Sequence, residues 1–206
     1  MFLPASDLRP RDAYALLTSA LVPRPIAWVG SRSAAGVDNL APFSYFMGVG
    51  SDPPALAVSV ARLRGGARKD TAANITETGV FSVSMVSATF GAAMVETSLG
   101  HAPEVDEFAV AGVPKAGCVA VEAPRPASSA VCFECRLLAA VPVGTVELFI
   151  GQIIGFHLDP AVLVPGASPP LVDPLRLDPL ARLGGVDYAR LGPLLSLPPR
   201  AGGPTR

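Results

Sequence analysis

Two short segments of the sequence carry residue types from which a binding site could be built. In the first, "RLRGGARKDT", the cations Arg68 and Lys69 stand immediately before Asp70 and Thr71, where a helical pattern begins. A helix N-terminus offers free backbone amides and the positive end of the helix dipole, and a nearby cation adds charge-assisted hydrogen bonds. This arrangement suits a phosphate group. The alternative is a solvated basic loop in which Asp70 or Thr71 only caps the helix.

The second segment, "NLAPFS" at residues 39–44, places a proline inside a β-rich run. Pro42 cannot donate to a sheet ladder, so its position indicates an edge strand or a bulge. A bulge would turn backbone amides and carbonyls out of the ladder, where they can read the edge of a polar heterocycle. Asn39 and Ser44 would add side-chain donors and acceptors beside it. The segment therefore favours a position that faces a ligand.

Other kinds of site find little support in the sequence. The chain has two histidines, His101 and His157, and lacks a G-x-S-x-G elbow, an H-E-x-x-H pair and a P-loop. Cys132 and Cys135 lie in one β-rich run, so their side chains should point to opposite faces unless a bulge intervenes. We expect both to be buried as small apolar groups, and we predict no metal site.

Composition and length limit the class of protein. The 206 residues are 50% apolar and 16% charged, which is typical of one globular domain spanning residues 1–206. The net charge of -1 gives no electrostatic case for nucleic acid or an anionic membrane. The apolar runs are too short for a membrane helix and the N-terminus lacks an export signal, so we expect a cytoplasmic protein.

The elements that must position these segments are mostly strands. Helices are predicted over residues 10–19 and 70–79 and, more briefly, within "TFGAAMVETS". The β-rich runs are "PIAWVGS", "LAPFSYFMGV", "PALAVSV", "VFSVSMV" and a long hairpin that turns at Gly144 and Thr145. The period-two alternation of "VFSVSMV" predicts a half-buried strand. Residues 101–117 are expected to be a polar surface loop. Together the elements favour a closed or nearly closed antiparallel barrel.

The ordered combination of segments resembles the flavin reductase-like domain family of the FMN-binding split barrel, of the flavoredoxin type. The matching blocks are "PRPIAWVGSRSAAGVDNLAPFSYFMGVGSDPPALAVSV", "RKDTAANITETGVFSVSMV", "VDEFAVAG", "FECRL" and "ARLGGVDYA", within residues 20–190 and ahead of a Pro-rich C-terminal tail. The resemblance implies a mainly β, antiparallel Greek-key split barrel with a few short peripheral helices. It also implies non-covalent FMN and a homodimer with the flavin site near the subunit interface.

The resemblance further implies which residues bind the cofactor. The isoalloxazine ring would lie along Asn39, Leu40, Ala41, Pro42 and Ser44, with Ser31 and Ser59 in the same cleft. The phosphate would be held by Lys69, Thr71 and Arg68, and the helix start would be shaped by Asp70 and Asn74. Three further residues, His101, Arg182 and Tyr188, are candidates for the border of the site.

The implied activity is that of an FMN-dependent NAD(P)H:flavin oxidoreductase, in which NADH or NADPH delivers a hydride to bound FMN. The flavin supplies this chemistry, so no protein acid or base is required and no catalytic residue is predicted. An FMN-binding electron carrier without nicotinamide turnover remains open, because the fold does not decide between the two. A barrel with a vestigial flavin site is the third alternative.

Overall fold

The structure is a computed structural model that describes residues 1–197. Residues 198–206, which belong to the predicted Pro-rich tail, lie outside the described residues. The helices are α1 (Pro10–Ala20), α2 (Asp70–Thr78), α3 (Gly91–Glu96), α4 (Glu107–Val110) and α5 (Pro174–Leu177), with 3₁₀ turns at Ala5–Asp7, Ala88–Phe90 and Pro160–Val162. The strands are β1 (Arg24–Pro25), β2 (Ala27–Arg32), β3 (Asp38–Phe43), β4 (Phe46–Ser51), β5 (Pro54–Ala61), β6 (Val80–Met85), β7 (Lys115–Gly117), β8 (Pro124–Pro126), β9 (Val131–Val143), β10 (Val146–Leu158), β11 (Ala181–Arg182) and β12 (Tyr188–Ala189).

Seven strands form one antiparallel sheet in the order β3-β2-β6-β9-β10-β5-β4. Its two edge strands, β3 and β4, are separated in the chain by Ser44 and Tyr45 alone. The three Cα–Cα steps from Phe43 to Phe46 span at most about 11 Å, so the sheet must curl until its edges lie close together. The predicted mainly β, antiparallel split barrel with short peripheral helices is confirmed.

One strand prediction is wrong. The pattern of "LAPFSYFMGV" predicts a single strand that pairs with the strands before and after it in the chain. The structure instead divides this run into β3 and β4, which lie at opposite edges of the sheet. The reason is tertiary, because β3 pairs with β2 while β4 pairs with β5. At the break, the Ser59 amide donates to the Tyr45 carbonyl at 2.9 Å, which holds the crossing point against β5.

Strand β2 is buried on both faces and separates two apolar cores. Ala27 and Val29 lie in the barrel core, which α2 helps to cover. Ile26 and Trp28 lie in a second core, to which α3 and α4 contribute. The Trp28 Nε1 donates to Thr97 Oγ1 at 2.9 Å, so the polar atom of this buried ring is satisfied.

Strand β6 is more buried than its alternation predicts. Ser82 and Ser84 are fully buried, where the pattern indicates a solvent-facing side. The segment around β7 and β8 covers this face, and Ser82 Oγ donates to the Pro124 carbonyl at 2.6 Å. The cover fits closely, since a Cβ on Gly30 would lie 2.1 Å from the same carbonyl oxygen. Only glycine fits at position 30.

The segment 101–117 also differs from the expected polar loop. It contains α4, whose Phe108 is 1% exposed and belongs to the second core. Asp106 caps this short helix by accepting a hydrogen bond from the Phe108 amide at 2.9 Å. Burial of the Phe108 side chain in the second core therefore fixes the position of a segment whose composition predicts a polar surface loop.

The long hairpin is confirmed, with β9 and β10 joined at Gly144 and Thr145. Cys132 and Cys135 lie on opposite faces of β9, as predicted: Cys135 belongs to the barrel core, while Cys132 contacts Cys118 and Ser84 on the outer side. Of residues 1–197, no helix combines the length and apolar character that a membrane crossing would require.

Candidate functional site

A cleft of about 320 Å³ lies between the free edge of β3 and the N-terminus of α2. The segment after α3 and the first residue of α4 complete its walls. The lining residues are Asn39, Ala41, Pro42, Phe43, Leu63, Lys69, Asp70, Thr71, Thr97, Ser98, Leu99, Gly100, His101 and Glu107. The tertiary structure thus brings together the two segments that the sequence singles out, and it joins Asn39 to Thr71, which are 32 positions apart in the chain.

Strand β3 supplies the apolar wall of the cleft. Pro42 pairs with Trp28 in a continuous register between β3 and β2. The prediction that this proline lies in an edge strand is therefore confirmed, and the alternative prediction of a bulge is wrong. The Leu40 amide points away from β2, because it donates to the Glu107 Oε2 at 3.1 Å. Alternate residues of a strand share a side, so the carbonyls of Leu40 and Pro42 also face outward from the sheet.

Helix α2 points its N-terminus at the cleft and carries no side-chain cap. Lys69 is the N-cap residue and makes no capping hydrogen bond, so the prediction that Asp70 or Thr71 caps the helix is wrong. The first amides of a helix have no intrahelical partner. They lie beside Lys69, Asp70 and Thr71, which line the cleft. The free amides and the Lys69 ammonium are the positive groups at this end of the cleft, and the Asp70 carboxylate lies beside them.

Thr71 does not cap the helix because its hydroxyl has another partner. Its Oγ1 donates to the Asn39 Oδ1 at 2.7 Å, and the Ser31 Oγ donates to the same oxygen at 3.1 Å. The Asn74 Nδ2 in turn donates to the Ser31 Oγ at 3.1 Å. All four side chains are buried. This network, which we call the Asn39 network, ties β2 and β3 to the first turns of α2.

Glu107 extends the Asn39 network to α4 and is a residue that the sequence reasoning missed. It hydrogen-bonds to the Asn39 side chain and accepts from the Leu40 amide. Burial raises the pKa of Glu107 above its usual range, against the hydrogen bonds that lower it. An acidic pair directly before an apolar residue, as in "VDEF", is a helix-start signal that could have drawn attention to it.

A second set of charges fixes β3 and α4 from the other side. Asp38 accepts from the Arg32 Nε at 2.6 Å and from the Lys115 Nζ at 2.7 Å. The same Lys115 reaches Asp106, the cap of α4, at 2.6 Å. Burial raises the pKa of Asp38, but the two cations lower this pKa by more than burial raises it. The pKa of Asp38 therefore lies below its usual value. The carboxylate is therefore held ionised where β3 begins.

The remaining predicted binding residues lie outside the cleft lining. Ser31 and Asn74 stand behind it in the Asn39 network, and the Leu40 side chain lies in the second core. The Arg68 guanidinium forms two hydrogen bonds with the Glu147 carboxylate, at 3.0 and 2.8 Å. Ser44 and Ser59 line a neighbouring apolar depression, described below. Their contact with a cofactor stays a prediction.

The three border candidates divide between two cavities. His101 lines the cleft, and its Nε2 is buried with no hydrogen-bond partner among residues 1–197. Arg182 and Tyr188 line a second cavity of about 180 Å³, where the guanidinium lies 4.4 Å from the centre of the tyrosine ring. Pro42, Phe43 and Ser98 line both cavities, so the two adjoin.

The fold and this geometry define a class of protein. A split barrel whose cleft joins an apolar wall to an uncapped helix N-terminus is suited to a flat cofactor that carries a phosphate.

Comparisons with known proteins agree with that class. A family model described as "Flavin reductase like domain" matches residues 19–173. The protein YwrF of Bacillus subtilis is 36% identical over 194 residues, which cover 91% of this chain and 93% of the relative. Nitrilotriacetate monooxygenase component B from Bacillus cereus matches in structure with a TM-score of 0.90 and 32% identity, over 96% of this chain and 98% of that one. The 2-nitrobenzoate 2-nitroreductase NbaA of Pseudomonas fluorescens matches with a TM-score of 0.85 and 26% identity, over 100% and 99% of the two chains.

The chain belongs to the flavin reductase-like domain family, which confirms the resemblance seen in the sequence. Membership of this family supports a flavin-binding role of the flavin reductase type.

The charges around Asp38 predict a pH-dependent contribution to stability. Because the folded-state pKa of Asp38 is lowered, its stabilisation is present above the unfolded value of about 3.9 and is lost as the pH falls through the folded value. Asp38→Asn should lower the free energy of unfolding by about 1–2 kcal/mol at pH 7, and the difference from wild type should shrink below about pH 4.

Urea unfolding at several pH values measures this difference. Glu104→Gln, which changes an exposed acid in the loop before α4, should leave stability unchanged and serves as the control. A deficit in Asp38→Asn that stays constant down to pH 2 would show that the carboxylate charge is not the source.

Proposed function

We propose that the protein is an FMN-dependent NAD(P)H:flavin oxidoreductase that binds FMN without a covalent bond. The observation that carries this proposal is the uncapped N-terminus of α2, with Lys69 beside it, at one end of a cleft with an apolar wall. Membership of the flavin reductase-like domain family supports the choice of a flavin as the ligand. Two structural neighbours, nitrilotriacetate monooxygenase component B and the nitroreductase NbaA, carry the names of oxidoreductase proteins, and this supports the reaction class.

The residues of the cleft fit the two chemical ends of FMN. The phosphate is assigned to the free amides of Asp70 and Thr71 and to the Lys69 ammonium, since helix dipole and charge act in the same direction there. Thr71 contributes its amide, because its hydroxyl already donates to Asn39. The Arg68 guanidinium is paired with the Glu147 carboxylate of β10, so we assign Arg68 to holding the loop before α2 in place.

The ring end of the cofactor is assigned to β3. Ala41, Pro42 and Leu99 offer the apolar surface that a flat tricyclic ring needs. The outward carbonyls of Leu40 and Pro42 offer acceptors for the polar edge of the ring, and Pro42 brings no amide that would remain unsatisfied there. The Asn39 network holds this wall at a fixed distance from the phosphate end.

Bound FMN would supply the hydride chemistry, and the chain supplies binding, orientation and exclusion of water. The adjoining cavity with Arg182 and Tyr188 provides space for a second ring beside the first, and the nicotinamide is assigned to it. His101, in the segment after α3, lines the neighbouring cleft and has an Nε2 without a hydrogen-bond partner among residues 1–197. The three free thiols suit a reducing compartment, which supports a cytoplasmic location.

A homodimer is part of the proposal. An apolar depression of about 450 Å³ lies at the junction of β3 and β4, and its apolar lining consists of Leu17, Leu21, Tyr45, Phe46, Met47, Ala57 and Leu148. Met47 and Leu21 are more than half exposed, which is unusual for clustered apolar side chains of a monomer. Ser44 and Ser59 line the same depression. A second copy that covers it would place these serines between the subunits, next to the cleft.

Nicotinamide turnover tests the proposed reaction. Protein loaded with FMN should lose its flavin absorption when NADH or NADPH is added without oxygen, and it should oxidise the nucleotide steadily when flavin is supplied. FMN binding without reaction by either nucleotide would favour the electron carrier instead. Failure to bind FMN at all would favour a vestigial site.

Removal of one cation tests the phosphate end. Lys69→Ala should weaken FMN binding by about 1.5–3 kcal/mol, because a charge-assisted hydrogen bond at the helix N-terminus is lost. Arg64→Ala removes the same charge from the same loop but from a residue that does not line the cleft, so its affinity for FMN should stay near that of wild type. Quenching of flavin fluorescence gives both affinities. Equal losses in the two variants would mean that only net charge matters.

Charge placed in the apolar depression tests the dimer. The double change Leu21→Glu with Met47→Glu should convert a dimer into a monomer, because two carboxylates would have to be buried between the subunits. Light scattering after size exclusion gives the mass. Val186→Glu, at an exposed apolar residue outside the depression, should leave the dimer intact. Wild-type protein with the mass of a monomer would contradict the proposal.

A further inference from the structure

Three side chains with metal-binding atoms meet where the segment that joins β7 to β8 lies against β9 and β10. One ligand atom from each of Cys118, Glu134 and His157 lies within 4.8 Å of the other two. Glu134 is 1% exposed, and its Oε1 lies 2.5 Å from the His157 Nε2. Cys118 is half-buried. None of the three lines the proposed flavin cleft, so this cluster has no part in the function proposed above.

The surroundings of the cluster are also specific. The Cys118 thiol hydrogen-bonds to that of Cys132, which is buried on β9. Arg125 lies close enough to act electrostatically on both thiols, and its Nε is buried without a hydrogen-bond partner among residues 1–197. Together they place a buried carboxylate, an imidazole and a sulfur around one point, with a cation nearby to balance additional negative charge.

We propose that Cys118, Glu134 and His157 bind one Zn²⁺ ion. Sulfur, imidazole nitrogen and carboxylate oxygen are the donors that zinc takes in proteins, whereas magnesium and calcium prefer sites made of oxygen alone. A tetrahedral ion with bonds of about 2.0–2.3 Å separates neighbouring ligand atoms by roughly 3.4 Å. The Glu134 and His157 atoms therefore move apart by roughly 1 Å as the ion replaces their hydrogen bond. The thiol proton of Cys118 leaves to solvent, and the proton of the Glu134–His157 hydrogen bond leaves the Nε2, so that the imidazole binds through this nitrogen as its neutral Nδ1–H tautomer.

Two other uses of the cluster account for less of the geometry. An ion pair between Glu134 and His157 explains those two residues but does not explain why the Cys118 sulfur lies within 4.8 Å of both ligand atoms. A nucleophilic cysteine needs an accessible thiolate. A free Cys118 thiolate would lie beside the Glu134 carboxylate, and two neighbouring negative charges are disfavoured unless a cation lies between them.

The position of the ion indicates what it would do. The Val119 and Ala120 amides each donate to the Glu134 carboxylate at 2.6 Å, so the segment after Cys118 is already held to β9. Zinc bound by Cys118 would fasten the same segment to both β9 and β10. The protein supplies three ligands, which leaves the fourth position of the tetrahedron to water. Depressions of about 340 and 270 Å³, lined by Cys118 and by His157 respectively, provide the access that a water needs.

Metal titration of the reduced, metal-free full chain without flavin tests this proposal. Zn²⁺ should bind at one equivalent in competition with a chromophoric chelator. Co²⁺ should give the visible bands of a tetrahedral site together with a thiolate charge-transfer band. Cys118→Ser and His157→Gln should each weaken Zn²⁺ binding at least about 100-fold, since each removes a direct ligand.

Cys135→Ala is the matched control. It removes a buried cysteine of β9, the strand that carries Glu134. The Cys135 side chain faces the barrel core, away from the cluster, so Zn²⁺ affinity should remain as in wild type. An octahedral Co²⁺ spectrum without a thiolate band in the wild-type protein would overturn the proposal, and this result does not depend on the folding of any variant. Equal Zn²⁺ affinity of wild type and Cys118→Ser would overturn it as well. The titration contains no flavin, so its outcome is independent of the proposed oxidoreductase function.

Discussion

The site depends on the burial of one amide side chain, that of Asn39. Its oxygen accepts from Ser31 and Thr71, and its hydrogen bond to Glu107 reaches a fourth element. A typical hydrogen bond adds only about 1 kcal/mol net, but a buried polar group left without its partner costs about 1–3 kcal/mol. The partners must therefore keep their places. The distance between the wall of β3 and the N-terminus of α2 follows from this requirement.

The cleft lies where it does because of how the sheet closes. Strand β3 is an edge strand, so one side of its backbone is free of sheet partners, and the chain leaves this edge to begin the opposite one after two residues. An exposed edge normally invites pairing with another chain. Here Pro42 removes a donor from that edge, and Glu107 occupies the Leu40 amide, which leaves the outward carbonyls of Leu40 and Pro42 without a sheet partner. The same features protect the edge and prepare it for a ligand.

The segment from β7 to β8 acts as a second cover on the barrel, away from the cleft. It buries the outer face of β6 through the contact of Ser82 with Pro124, and Gly30 is required because that backbone comes so close. On the other side it is held to Glu134 through the Val119 and Ala120 amides. Strand β6 is therefore buried on both faces although its sequence alternates. The cover also explains why the Glu134 carboxylate and the Cys132 thiol are buried on the outside of the barrel.

The sequence alone determined the class of fold, the long hairpin, the helix at residues 70–79 and the two segments that form the cleft. These are local features, since hydrophobic period, proline positions and turn glycines act within a few residues. The division of "LAPFSYFMGV" between two edges, the hydroxyl of Thr71 turned to Asn39, the burial of Glu107 and the pairing of Arg68 with Glu147 were decided only by tertiary structure. The meeting of Cys118, Glu134 and His157 is of the same kind. Each of these contacts joins residues that are far apart in the chain. Local sequence pattern does not distinguish between the possible partners, and only the burial of the side chains in the folded protein determines which of them meet.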